Sequence, residues 1–225
     1  MQIDSAFDAS GATLPRIEDE IANSITHGIG LAMSLVGSVA MVTLAVKYAG
    51  AREIIGCSIY GASLVAVYAA STLSHVFQHP RARRIFRMLD QGCIYLLIAG
   101  TFTPLALEYL RGGYWWLLMT AMWTIAFFGF FSKVVWAHRV EAVSTYAYVC
   151  MGWLPVVAAK PMIELIPSGC LWLMLAGGAC YSVGTIFLTF DRKALYLHAV
   201  WHVFVIAGSA VHYFAILQYV LPAAA

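Results

Sequence analysis

Charge is scarce in this chain. Asp, Glu, Lys and Arg make up 11% of its 225 residues, where a soluble domain carries about a quarter. With 62% of the residues hydrophobic, too few charges remain to coat a water-exposed surface. The same composition excludes disorder and collagen-like repeats. An excess of one sign is also missing: 13 basic residues stand against 11 acidic ones, a net charge of +2. The electrostatic footprint of a nucleic-acid binder is therefore absent. Cysteines at paired spacing are lacking too. Cys57, Cys93, Cys150, Cys170 and Cys180 form no CxxC, and each lies in or beside an apolar run. They read as small packing residues rather than a disulfide framework or a thiolate metal site. Nor does the N-terminus read as a secretory signal. Residues 1–20 hold one basic residue, Arg16, five acids and no apolar h-region.

What is present is long apolar runs. A bilayer core needs about 20 consecutive apolar residues per helix, and seven such segments are expected at about 25–46, 54–77, 91–110, 114–132, 142–159, 170–190 and 195–220. Strands of a closed barrel would be about half as long and would alternate in polarity. The expected fold is all-α, a polytopic membrane protein built as a seven-transmembrane-helix bundle. Residues 1–24 form an N-terminal segment with an interfacial amphipathic helix, 25–220 the bundle, and 221–225 a short outer C-terminus. Short connections join the spans at 47–53, 79–89, 111–113, 133–141, 160–168 and 191–193.

Basic residues orient such a bundle. Arg16, Arg81, Arg83, Arg84, Arg87, Lys133, Arg139, Arg192 and Lys193 fall on one side, and Lys47, Arg52, Arg111 and Lys160 on the other. Nine against four predicts a cytoplasmic N-terminus and an outer C-terminus. Tyr109, Tyr114, Trp115 and Trp116 would form an aromatic belt at the outer end. Ala176, Cys180 and Gly184 would let span six approach a neighbour closely.

Ionisable groups inside apolar spans are costly and mark candidate sites. Ser71 and His75, four apart in STLSH, share a helix face near the cytoplasmic end of span two. Asp90 opens span three at the same level, where a carboxylate also suits a helix N-terminus. His198 and His202, in HAVWH, project from one face of span seven at the i, i+4 spacing that can grip one metal ion. Glu20, Asn23 and His27 share a face entering span one, and Ser24 and Thr26 add polar groups there; the plainer reading of this segment is an amphipathic interfacial lead-in helix. The loop charges place Ser71, His75, Asp90, His198 and His202 in the same half of the bilayer.

Three histidines, His75, His198 and His202, are the ligand set of an open catalytic zinc site, in which zinc lowers the pKa of a bound water toward about 7. Asp90 would then serve as general base. Ser71 would orient that water or stabilise an oxyanion. A site just beneath the headgroups would reach an amide or ester of a lipid whose tails stay in the membrane.

The same residues resemble a known family. EDEIANSITHGIG at 18–30, STLSH at 71–75, LDQGCIYLLIAGTFTP at 89–104, MGWLPVVAAKP at 151–161 and HAVWHVFVIAGSAVHYFAIL at 198–217 are similar to the bacterial haemolysin III proteins. These belong to the progestin and adipoQ receptor group, related to the alkaline ceramidases. The resemblance implies zinc on His75, His198 and His202, with Asp90 and Ser71 beside it. Gln91 departs from the pattern, standing where a histidine is frequent. The family also implies a bacterial inner-membrane location and a role in membrane-lipid homeostasis, with membrane lipids and a lipid-like substrate or ligand as partners. Three functional expectations follow. The first is zinc-dependent hydrolysis of a lipid amide or ester. The second is a non-catalytic lipid-sensing receptor or regulator with structural zinc. The last, a pore-forming cytolysin, fits poorly with continuously apolar spans, whose outer half holds only scattered groups such as Glu108 and His212. Oligomeric state is left open by the sequence.

Overall fold

The computed structural model describes residues 16–110, 115–135, 143–191 and 193–221. The expected turn at 111–113, Tyr114, Arg139, Arg192, residues 1–15 and residues 222–225 lie outside them. The elements are α1 (Ile17–Tyr48), α2 (Ala51–Val76), α3 (Pro80–Tyr109), α4 (Trp115–Val135), α5 (Val143–Trp153), a 3₁₀ segment (Leu154–Ala158), α6 (Ala159–Leu165), α7 (Ser168–Thr189) and α8 (Leu197–Tyr219). Among the described residues there is no strand, and seven helical segments are long and apolar enough to cross a membrane. The fifth of these is the composite Thr145–Leu165.

Local chemistry sets the ends. The Gly50 N–H donates to the Glu53 carboxylate at 2.8 Å and closes the first turn of α2. Pro80 occupies the first position of α3, where no intrahelical N–H is required. Its arginines then continue the helix through residues that read as a connection in the sequence, because Arg and Ala are strong helix formers. In the fifth span Pro155 converts one turn to 3₁₀. Pro161 sits in the first turn of α6, so the helix continues to Leu165 where the sequence suggested a link from Lys160. At the start of α8, Tyr196 adopts φ 64°, a left-handed conformation uncommon for a side chain of its kind. Its N–H donates to Asp19 at 2.7 Å, tying the start of α8 to the start of α1.

The helices close into a ring. α1 packs on α2, α2 on α3, α3 on α5, α5 on α7, α7 on α8 and α8 back on α1, while α4 lies outside against α3. α2 and α3 are the most deeply buried spans. The outer faces are apolar: Ile17, Ile21, Ile25 and Ile29 repeat every four residues along α1, all exposed, as lipid-facing side chains are. Small residues bring α7 against α8, although not in the expected register. Gly177 and Gly184, two turns apart, are buried, and Ala176 is exposed. A β-carbon on Gly184 would stand 2.7 Å from the Trp201 ring, and one on Gly177 2.3 Å from His212 Nε2. Of the expected aromatic belt, Trp116 is exposed and Trp115 is buried. The Tyr109 hydroxyl donates to the Tyr219 carbonyl and so links α3 to the end of α8.

Candidate metal centre

α2, α3 and α8 each bring expected site residues to one end of the bundle. His75 near the end of α2 and His198 and His202 in the first two turns of α8 converge. Their ring centroids lie 5.2, 5.3 and 4.6 Å apart pairwise. One nitrogen from each falls within 4.8 Å of the other two. His75 and His202 are buried, and His198 is half-buried.

Hydrogen-bond chemistry fixes which nitrogen each ring presents. His75 Nδ1 lies 2.9 Å from Glu20 Oε2, and His198 Nδ1 lies 3.0 Å from Asp191 Oδ2. An ionised carboxylate only accepts, so both rings carry their proton on Nδ1. His202 Nδ1 lies 3.0 Å from Thr26 Oγ1. That hydroxyl has one proton, and it is directed at the carbonyls of Ala22 and Asn23 at 2.8 and 3.0 Å. Thr26 therefore accepts from His202. All three imidazoles are held as the tautomer with a bare Nε2. His75 Nε2 is buried with no hydrogen-bond partner. Nitrogen lone pairs gathered within 4.8 Å would repel one another, and a cation held among them would relieve the repulsion. The residues thus fit a metal ion, and neutral imidazole nitrogens suit zinc.

Ser71 and Asp90 lie beside this cluster. Ser71 is buried, and its hydroxyl is 2.6 Å from His27 Nδ1 and within hydrogen-bonding range of the Asp90 carboxylate. With Asp90 ionised, Ser71 donates to it, and His27 Nδ1–H donates to Ser71. Asp90 is half-buried and lies close enough to His198 for the two to interact electrostatically. The His27 ring stacks on His202, centroids 3.4 Å apart and 15° from parallel, with the edge of Tyr68 against it. The five residues singled out by polarity are thereby brought together.

Other contributors had no decisive signal in the sequence. Glu20, Asn23 and His27 face inward from the first three turns of one continuous α1 and are buried. Glu20 also pairs with Arg83 at 2.5 Å and with Arg87 at 3.8 Å, on the turns by which α3 extends beyond its apolar stretch. Asp191 had read only as part of a turn. Its spacing from His198 gives no motif, and its contact exists only because the chain reverses between α7 and α8. Gln91 offers its backbone carbonyl to the Tyr148 hydroxyl at 2.8 Å.

A second buried polar group lies farther along the bundle. Ser209 on α8 receives the Tyr68 hydroxyl at 3.0 Å and pairs with the Tyr181 hydroxyl at 2.8 Å, while the Tyr60 hydroxyl donates to its carbonyl at 3.1 Å. His212 Nε2 donates to the Met174 carbonyl at 3.1 Å, joining α8 to α7. These bonds lock α2, α7 and α8 together, as polar groups do inside membrane bundles.

The sequence matches a family model described as Haemolysin-III related over residues 16–213. It is 43% identical over 208 residues to Hemolysin-3 of Bacillus cereus, covering 92% of this chain and 94% of the relative. It is 39% identical over 203 residues to the Hemolysin-3 homolog of Bacillus subtilis (strain 168), covering 90% and 95%. At greater distance it is 28% identical over 220 residues to the human Monocyte to macrophage differentiation factor, covering 94% of this chain and 88% of that one.

Proposed function

This chain belongs to the haemolysin III family of integral membrane proteins, and we propose that it is a metal-dependent hydrolase acting on a lipid amide or ester. The observation that carries this reading is the convergence of His75, His198 and His202, each with its Nδ1 within hydrogen-bond distance of an oxygen and one ring nitrogen within 4.8 Å of the other two. These three residues would hold zinc. Zinc in such a set supplies Lewis acidity for polarising a carbonyl and acidifying water.

The chain's own groups supply the rest. Asp90 accepts the proton of the attacking water and returns it to the departing amine or alcohol. Ser71 is held by His27 and Asp90; as Asp90 takes up the proton of the water it no longer accepts from Ser71, whose hydroxyl is then released to donate to the oxygen that gains charge at the carbonyl. The apolar outer faces of the helices keep the acyl chain of a lipid in the bilayer while its polar linkage reaches the histidines. The protein resides in the bacterial inner membrane with its N-terminus and this site on the cytoplasmic side, where it serves membrane-lipid homeostasis.

The test uses the purified protein in vesicles carrying acylated lipids with amide and ester linkages. Fatty-acid release that stops on chelation and returns with zinc supports hydrolysis. Bound zinc without turnover on any such lipid would replace the enzyme with a receptor or regulator in which zinc is structural.

A further inference from the structure

We propose that Glu20 is a positioning residue of the metal centre: it fixes the tautomer and rotation of His75, and Arg83 fixes Glu20 in turn. The inference rests on the metal-centre reading and deepens it, assigning a role to an acidic residue of α1 that the ligand set leaves unused.

A carboxylate in this place needs an explanation. Glu20 is only 7% exposed, on a helix whose neighbouring face is a stripe of isoleucines turned outward. A carboxylate with no partner in the bundle would turn outward instead of into it. Instead its Oε2 is shared between His75 Nδ1 at 2.9 Å and Arg83 Nη2 at 2.5 Å. Arg87 approaches its other oxygen at 3.8 Å. The guanidinium compensates the buried charge, so the carboxylate remains ionised and can only accept. Consequently His75 must donate from Nδ1, and its buried, unpartnered Nε2 is the atom left for an ion. Without Glu20 the ring is free to carry its proton on Nε2 or to rotate.

The arrangement is repeated on the same helix. Thr26 does for His202 what Glu20 does for His75, and His27 holds Ser71. The first three turns of α1 therefore form a layer that orients groups presented by α2 and α8. Asp191 performs the equivalent task for His198 from outside that layer. Outer partners of this kind commonly change metal affinity by about 10–100-fold when removed.

The experiment compares full-length wild type, Glu20→Ala, Glu20→Gln and His75→Ala, purified in detergent. Zinc affinity is measured by chelator competition, geometry by the visible spectrum of the cobalt-substituted protein, and thermal stability with and without metal. The expected result is one zinc per wild-type chain, with affinity weakened about 10–100-fold in Glu20→Ala. The cobalt spectrum should be altered in the same variant. Glu20→Gln, which keeps an accepting oxygen, should recover part of the affinity. The stability deficit of Glu20→Ala should be larger with metal than without. Unchanged zinc affinity and an unchanged cobalt spectrum in Glu20→Ala would overturn the proposal and leave the metal centre standing. So would an equal stability loss with and without metal at unchanged affinity, which identifies a merely structural ion pair. A wild-type protein that binds neither zinc nor cobalt would overturn both readings together.

Discussion

A neutral imidazole has one N–H and one lone pair, and at His75, His198 and His202 the neighbouring oxygen decides which nitrogen carries which. Asp90 stands in different company. It touches Ser71 and lies near His198, with no imidazole proton to fix, which suits a group that moves protons. Asp90→Asn should therefore keep its zinc while lipid hydrolysis falls by about 10²- to 10⁴-fold, the usual weight of a general acid–base group. Metal analysis and a turnover assay on the same preparation check this; loss of zinc along with activity would make Asp90 a ligand instead. Ser71, His75, Asp90, His198 and His202 were legible in the sequence because a polar residue in an apolar run is costly enough to demand a reason. Glu20 and Thr26 were visible as polar groups entering span one but without a role, and Asp191 read only as a turn residue. Each sits at or near a helix end, where polar residues have ordinary explanations. Their partners are 55, 176 and 7 residues away, joined by packing that no local pattern records.

At the scale of the helices, hydropathy located all seven spans but not where the helices end. α1 and α3 run past their apolar stretches, and those extensions hold Glu20, Arg83 and Arg87. An extension that packs against protein need not be apolar, so a lipid-based criterion cuts it short. The α7–α8 contact illustrates the same limit. Small residues at helical spacing pointed correctly to a close approach, yet Ala176, Cys180 and Gly184 could not be ranked against Gly177 without the facing helix. Gly184 meets Trp201 and Phe204 at distances that no side chain can share. Gly184→Leu is accordingly expected to destabilise the bundle by about 1–3 kcal/mol through overpacking. Ala176→Leu, on the exposed face, should stay within about 0.5 kcal/mol of wild type. Thermal unfolding in detergent compares the two; equal effects would mean that this glycine does not set the α7–α8 distance.

Over the whole molecule, charge and site lie at the same end. Arg81, Arg83, Arg84, Arg87 and Lys193 belong to the end of the bundle that carries the histidines, and Lys47, Arg52 and Lys160 to the other. If basic residues orient the chain, Arg81→Cys in a cysteine-free background reacts with a membrane-impermeant maleimide only after the membrane is opened. Labelling across an unopened membrane would reverse the orientation and put the site on the outer side. The ring of helices also joins parts of the chain far apart in sequence: α1 and α8, first and last, close it and share the site.

The central claim is that three histidines from α2 and α8 hold one metal ion. It is tested most directly by the metal content of protein purified without chelators, measured for wild type, His75→Ala, His202→Ala and the folded state of each. About one zinc per wild-type chain and little in either histidine variant is the expected result, with both variants still folded. A folded wild type with no bound metal, or variants that keep a full complement of zinc, would contradict it.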